Sequence, residues 1–540
     1  MEYMFSFCYS LTSIDLSNFD TSKVTSMKYM FGFCGNITSL NLNSFNTSQV
    51  REMEGMFYGC TSLKNINLSN FDTLNVINMR SLFDLCYSLT SINLSNFDVS
   101  KVEQMDSMFY GCNSLISLNL SNFKTLSLES MKYMFYNCYS LINIDLSNFD
   151  TFQVTKMISL FQNCRSLISV NLSNFFFVYT NMDNFFYNCI SLTKIELPKY
   201  YSLPKSVDSL FFGCSSLTSL DISFFELYYC NSMNYLFYKC SSLTSLDLSN
   251  IHTFNVNTME YTFYECNSLI ELDLSNFETS KVTNIFGMFY DYTSLKFLDL
   301  SDFDTNSLKN MEYLFHNCIK LTSINFGNFD TSLVKYMSGL FYGCSSLKSL
   351  NLSSFDTSNV IEMKSMFYGC IELTSLDLSN FNTQCVGDMN FMFTGCKNLR
   401  YIDFYNFNDI ELDNNKAMFF GASENLIIYI NNQSYTENII SELTSLQCIA
   451  YNLSINSEIN KPKIIYNKRI CIYNCLDNDI YKYEYEYFCY KDCPKGTHFL
   501  NNSINLCEKN QFEFVPKLQV AHSHWRGRHP LSALVQRLLA

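Results

Sequence analysis

One interval governs what this chain can fold into. The stretch "MFYGCTSLKNINLSNFDT", Met56 to Thr73, returns in variant form along most of its length. Aligned on the first position of M-x-x-M-F-x-x-C, the copies start at Met1, Met27, Met53 and so on to Asn415. Every step is 26 residues except those after Met157 and Met182, which are 25. Periods of this length denote stacked supersecondary units, none of which can bury its apolar face alone.

Each unit reads as a short physical program. In the first, Leu11, Ile14 and Leu16 follow L-x-x-I-x-L, with Ser13, Asp15 and Ser17 alternating against them. That alternation predicts a short strand with one buried face, and Phe19 packs inward at the turn after it. Asp20, Thr21 and Ser22 are helix N-cap types. Val24, Met27, Met30 and Phe31 fall at i, i+3, i+6 and i+7, the apolar stripe of a short helix. The residue before the cysteine is Gly or Asn in 11 of 17 copies, types that tolerate the left-handed conformation closing a helix. The expected fold is α/β: a solenoid of about 16–17 coils, each a short parallel strand plus a short helix, around one continuous core.

These residues carry a resemblance. L-x-x-I-x-L-x-x-F is similar to a leucine-rich repeat. The full unit, M-x-x-M-F-x-x-C-x-S-L-x-x-I/L-D/N-L-S-N-F-D-T-S-x-V, resembles the BspA-type repeat of bacterial and protozoan cell-surface proteins. The resemblance spans about residues 1–425. It implies an extracellular, adhesive or partner-binding protein and carries no catalytic residues across. Phe19 and its equivalents stand where many leucine-rich repeats have Asn. "MEYMFSFCYSLTSIDLSNFD" at Met1 is already a full copy, whereas a solenoid begins with an atypical cap. An upstream segment, with a targeting signal, is therefore expected.

Composition narrows the function. The chain has 540 residues, 47% of them apolar, and a formal charge of −14. The acidity argues against nucleic acid or an anionic membrane surface as partner, since both need clustered Lys and Arg. No apolar run reaches the ~18 residues of a membrane span. No phosphate loop, G-x-G-x-x-G, H-E-x-x-H or nucleophile elbow appears, so an enzyme is not expected. His252 and His316 stand alone in single units.

Of 23 cysteines, 15 occupy one repeat position, from Cys8 to Cys396. Tyr292 and Ala422 fill the same slot, which rules out a metal site there. Core packing is the expectation; disulfides between coils would need Cα atoms within about 7 Å. Five others, Cys471, Cys475, Cys489, Cys493 and Cys507, are spaced C-x3-C-x13-C-x3-C-x13-C. "CYKDCPKGTHF" resembles the growth-factor-receptor-like cysteine-rich modules of protozoan surface proteins. Polar, tyrosine-rich surroundings favour a disulfide-held module, with Cys448 as a sixth thiol; zinc, with His498, is the alternative.

Two surface features are candidate sites. The residue between the buried strand positions is Asp, Asn or Glu in every full unit, and five successive ones are acidic: Glu196, Asp221, Asp247, Asp273 and Asp299. Strands about 4.8 Å apart would stack these side chains, and neighbouring carboxylates raise one another's pKa. A Ca2+ or basic-partner stripe and a solvated ladder are the alternatives; no other metal or cofactor is expected. The flanking Ser positions make a flat polar face suited to weak contacts multiplied along its length. Five ladder asparagines, Asn67, Asn93, Asn119, Asn171 and Asn351, head N-L-S sequons, as would matter in a secreted glycoprotein. The second feature is the break between the 25-residue steps. There "SNFDTS" gives way to "SNFFFVYT", "LPKYYSLPKS" and "ISFFELYYC", placing Phe176, Phe177, Tyr179, Tyr200, Tyr201, Tyr228 and Tyr229 in adjacent turns. Stacked turns would gather them at one edge as a partner site; inward repacking is the other reading.

The organisation follows: solenoid over 1–425, its C-terminal cap over 426–451, with Ser434 and Glu437 as a capping box, a connector over 452–470, a Cys-rich module over 471–510, and a disordered or extraneous tail over 511–540. The expected function is adhesion or partner binding at a cell surface or in the extracellular space, the ligand being a protein or glycan on another cell or matrix. A self-associating envelope component and an intracellular scaffold are the alternatives.

Overall fold

The computed structural model describes residues 1–198, 202–249, 251–430, 436–442 and 448–451, and six short strands beyond them. The chain divides into two compact units, Met1–Asn456 and Ser457–Ala540.

The first unit is a parallel β-solenoid. Its strands are three or four residues long; the three-residue ones place the middle residue inward, as in β1 (Asn143–Asp145), where only Ile144 is buried, whereas Tyr401–Phe404 near the C-terminal end is buried throughout. β1 pairs in parallel with β2 (Ser169–Asn171), and β2 with β3 (Lys194–Glu196). β4 (Ser219–Asp221) pairs with β5 (Ser245–Asp247), and β6 (Phe297–Asp299) with β7 (Ser323–Asn325). β8 (Ser375–Asp377), β9 (Tyr401–Phe404), β10 (Ile427–Ile430) and β11 (Cys448–Tyr451) form the last sheet, all parallel. Asn143 faces Ser169, one repeat step later. On the opposite wall, single parallel bridges join Ser26 to Glu52, Glu52 to Asn78 and Asn78 to Gln104, 26 residues apart, and the step shortens to 25 at Lys156 to Asn181 and Asn181 to Ser206.

The expected coil helices are absent: among the described residues the one α-helix is α1 (Glu437–Ser441), between β10 and β11. Chained turns replace them. In each coil the third and seventh residues from the first Met position are left-handed, as at Tyr29 (φ 48°) and Phe33 (φ 61°), then Gly55 (φ 57°) and Gly59 (φ 68°). Backbone donors therefore point alternately. The N–H groups of Tyr29 and Phe31 donate to the Glu54 and Met56 carbonyls of the next coil, both at 2.9 Å. Those of Met30 and Gly32 fold back three residues to Met27 and Tyr29, at 3.2 and 2.9 Å. A helix would spend all these donors within itself; here half of them bind coil to coil. The Gly and Asn before the cysteine do adopt the left-handed conformation, but they close a turn. At the other such position most coils carry a side chain, but Gly287 follows a coil whose Tyr261 ring covers it: a Cβ there would lie 2.5 Å from that ring.

Side chains repeat this coil-to-coil logic. One phenylalanine per coil, from Phe5 through Phe31, Phe57 and Phe83 to Phe419, stacks on its neighbours without a gap, with centroids 5.2–5.9 Å apart. Such a pair contributes about 0.5–1.5 kcal/mol beyond area burial. The thiols line up beside it as free groups, buried from Cys34 onward. Cys60 donates its S–H to the Phe31 carbonyl one coil back, at 3.2 Å, and Cys86 does the same to Phe57. The slot is thus a small apolar residue with a weak donor. Where Tyr292 replaces it, the hydroxyl is buried without a hydrogen-bond partner.

The Asp-Thr pair read as a helix cap is a tether. Thr47 Oγ1 donates to the Asp72 carbonyl and accepts from the Asp72 N–H, both at 2.8 Å. The Asn of "SNF" staples backward: Asn70 Nδ2 donates to the Leu42 and Phe45 carbonyls at 3.1 and 3.0 Å. At α1 the cap comes from Asp409, whose Oδ2 accepts the N–H groups of Asn438 and Ile439 at 2.7 and 3.1 Å; Ser434 lies outside the described residues.

In the second unit six strands form one mixed sheet: β12 (Lys463–Ile465), β13 (Cys471–Ile472), β14 (Tyr483–Tyr485), β15 (Phe488–Tyr490), β16 (Thr497–Asn501) and β17 (Leu506–Lys509). Their order is β13-β12-β15-β14-β17-β16. Cys471, Cys489 and Cys507 belong to β13, β15 and β17, and Cys448 to β11. Their side chains, and Cys475, Cys493 and 511–540 altogether, lie outside the described residues.

Two expectations follow. Thr47→Val keeps the shape but removes the partner of a part-buried N–H, so it should cost about 1 kcal/mol and speed hydrogen exchange at the Asp72 amide; Ser48→Ala, on the exposed side, should change neither. Burial pushes the thiols up, Cys34 to about 11 and Cys240 and Cys396 to about 12. Iodoacetamide should therefore label exposed Cys8 and Cys385 in the native solenoid and reach the column only on unfolding, as read by peptide mass.

Candidate functional site

The acidic ladder is first a structural device. Asp221, Asp247, Asp273 and Asp299 each accept the N–H two residues ahead, from Ser223, Ser249, Ser275 and Ser301, at 2.9–3.0 Å. Asn67 and Asn93 do the same with Ser69 and Ser95. This Asx turn ends the strand, and Asp or Asn serves it equally, which accounts for the mixture of the two. Hydrogen bonds from Ser275 and Ser301 hold the Asp273 and Asp299 carboxyls below their usual range. The expected upward shift from mutual repulsion is thus reversed at these two rungs.

The five acids do not share one hydrogen-bonded sheet. Glu196 belongs to the β1–β3 sheet, Asp221 and Asp247 are registered partners, and Asp299 pairs with Asn325. Asn325 Nδ2 donates to Asp299 Oδ1 at 3.0 Å. Asp221, Asp247 and Asp273 line one shallow groove of about 440 Å3 with Ser219, Ser245 and Asn276. Among the described residues no three His, Cys, Asp or Glu side chains converge as metal ligands.

The aromatic break is more distinctive. Tyr179, Tyr228 and Tyr229 are exposed, at 52, 49 and 40%. Tyr179 is left-handed (φ 56°) and its N–H is held by the Leu203 carbonyl at 2.8 Å. Phe176 is half-buried. Phe177 is fully buried and packs edge-on against Phe185 and Phe225; it faces the core because the strand-like alternation continues through the break, so it cannot touch a partner. Tyr200 and Tyr201 lie outside the described residues.

The exposed set extends further than the break. The residue right after the tethering Thr, or after its equivalent, lies on a surface ridge and is polar in eight of sixteen coils; Leu74 and Ile410 are isolated apolar copies, exposed at 46 and 57%. Leu126, Phe152 and Phe254 occupy the same position on either side of the break, exposed at 56, 73 and 44%. Phe152 meets Phe176 edge-on at 5.8 Å, and Phe254 stacks on Tyr228 at 6.5 Å. Lys281 Nζ sits 4.0 Å above the Phe254 ring. Together with exposed Val178 and half-buried Leu203, these form an apolar ridge over six successive coils. Its flanks escaped sequence reading because each lies in an otherwise regular copy; comparing that one column between copies would have shown them.

A second aromatic row was also missed. Tyr187, Phe212, Tyr238, Tyr264, Tyr290, His316, Tyr342 and Tyr368 stack in successive coils at 3.9–5.2 Å. It is a half-buried wall, with ring faces spent on one another. Burial between Tyr290 and Tyr342 pushes His316 down to about 4, so its imidazole is neutral at neutral pH.

Fold and surface together define a repeat protein, a parallel β-solenoid with a polar sheet face and one apolar ridge. The chain belongs to the family described as "Mycoplasma protein of unknown function, DUF285", which matches residues 1–92, 87–200, 205–326 and 312–430. Among solved structures it is similar to a leucine-rich repeat protein from Bacteroides ovatus, at 20% identity and a TM-score of 0.45, over 77% of this chain and 88% of that one. It is also similar to a leucine-rich repeat protein from Eubacterium ventriosum, at 17% identity and a TM-score of 0.29, over 72% and 83%. A third likeness is the pneumococcal vaccine antigen PcpA, at 15% identity and a TM-score of 0.34, over 67% and 85%. No curated protein matches the chain. No helix among the described residues is long and apolar enough to cross a membrane.

One titration can be read from the wall. Asp84 stands in the tyrosine column with Ser81 Oγ donating to it at 2.9 Å, and burial pushes its carboxyl up to about 7. A folded-state value above the unfolded one, near ~4, means that ionisation opposes folding. Stability is full below about pH 4 and declines as pH rises toward 7. Asp84→Asn should therefore raise the melting temperature at pH 8 and leave it unchanged at pH 4. An equal shift at both would contradict the assignment.

Proposed function

We propose that this is a non-enzymatic repeat protein that binds a protein or glycan partner in adhesion at the cell surface or outside the cell. The observation that carries the reading is the ridge. On a solenoid whose turns elsewhere carry apolar residues singly, as at Leu74 and Ile410, it exposes Phe152, Tyr179, Tyr228, Tyr229 and Phe254 across adjacent coils. Contiguous exposed apolar surface rimmed by polar residues marks interaction sites, and aromatic anchors dominate binding energy. The polar sheet face beside it adds many weak, repeated contacts. The likeness of the unit to BspA-type surface repeats supports the same setting.

The ridge can be removed without touching the core. A triple variant, Phe152→Ser, Tyr228→Ser and Phe254→Ser, changes only exposed side chains. It should fold with an unchanged far-ultraviolet spectrum and lose ten-fold or more in binding to cells, matrix proteins or arrayed glycans, about what loss of 1.4 kcal/mol or more implies. Wild-type binding by the triple variant would sink the proposal. Concentration-dependent polymers of the wild type, abolished in the variant, would instead favour the self-associating envelope component.

A further inference from the structure

Within the ridge two phenols stand in an arrangement that packing does not require. Tyr179 and Tyr229 are 50 positions apart, yet Tyr179 Oη donates to Tyr229 Oη at 2.9 Å. Their ring centroids are 4.6 Å apart with planes tilted by 45°. The two belong to coils that flank the coil of Leu203, so the pair reaches over an entire coil where the repeat shortens. The Leu203 carbonyl holds the Tyr179 backbone in place. Both rings are open to solvent.

From this geometry we infer that Tyr179 and Tyr229 are a site of oxidative tyrosine cross-linking within the chain. The co-reactant is a peroxide acting through a heme peroxidase. Each phenol gives up one O–H hydrogen atom, the two phenoxyl radicals couple carbon to carbon ortho to oxygen, and rearomatisation restores both O–H groups. In net terms two aromatic C–H bonds are lost, one C–C bond forms, and one H2O2 becomes two waters. The shared hydrogen bond aligns the phenols and gives the departing proton of Tyr179 an acceptor.

The stacked tyrosines are poorer candidates. Tyr342 and Tyr368 lie parallel within 2° at 4.4 Å, and Tyr110 and Tyr136 within 2° at 4.6 Å. Ring faces locked between neighbours cannot turn edge to edge, as a biaryl bond demands. Tyr179 and Tyr229 are exposed at 52 and 40% and meet at a tilt instead of face to face, with Tyr228 edge-on to Tyr229 at 5.1 Å. A bond there would clasp the coil between them, and it does not depend on whether the ridge binds a partner.

The test uses the full chain at high dilution, treated with a heme peroxidase and limiting hydrogen peroxide. The expected product keeps the mass of a monomer, fluoresces as dityrosine, and yields on digestion a peptide pair joining Tyr179 to Tyr229, two hydrogens lighter than its parts. Tyr179→Phe and Tyr229→Phe keep the rings and so the packing, and each should abolish that pair. Dityrosine found only between molecules, or in greater yield at other tyrosines, would overturn the inference, as would persistence of the fluorescent monomer in both variants.

Discussion

The structure depends on the direction of alternate backbone N–H groups. Along the wall opposite the sheet, one donor folds back within its own coil and the next reaches across to the following one. Two left-handed residues per coil, four apart, set this alternation. A helix there would satisfy its own donors and leave neighbouring coils joined only by side chains. The chained turns instead bind coils on two walls, by short strands on one and by turn-to-turn bonds on the other. The tight pitch then brings each column of side chains onto itself. A phenylalanine meets a phenylalanine, a thiol meets the carbonyl of the previous coil's phenylalanine, and a Thr hydroxyl meets the next coil's amide.

That self-contact shapes how function can be read. A residue type repeated in every coil is there because each coil needs it, and the Asp/Asn column shows the rule at work. Its Asx turn is made identically at Asn67 and at Asp247, so charge is not what the position requires. A run of acids within it alters the field of the face without altering the turn. Information about partners therefore sits in columns whose chemistry changes over a contiguous block of coils.

Much of this was legible in the sequence, and the failures have physical causes. The period, the strand alternation and the buried thiol slot follow from spacing alone. The helix did not, because apolar residues at i, i+3, i+6 and i+7 fit successive turns as well as a helix. The Gly or Asn before the cysteine gave the right backbone conformation and the wrong element. Its counterpart four residues earlier was hidden, since Tyr, Ser and Phe hold it at Tyr29, Ser81 and Phe391 despite the cost of positive φ. In the break, composition located the aromatic residues but not their direction: Phe175 and Phe177 point inward and Phe176 lies between them.

The placement of the ridge separates it from a repair of the shortened coils. Were its rings fillers for the two missing residues, they would be buried and confined to the break, as Phe177 is. Phe152 and Phe254 meet neither condition. Each follows a Thr whose hydroxyl still reaches the next coil, Thr151 to the Phe176 carbonyl at 3.4 Å and Thr253 to the Glu278 carbonyl at 3.0 Å. Each is followed, after one residue, by a buried valine, Val154 and Val256. The scaffold around them is regular, and Ser or Asn holds the same position in other coils without loss of the fold. Burying nothing and replacing nothing, these rings add apolar surface where solvation favours polar groups. That excess is what a bound partner would cover.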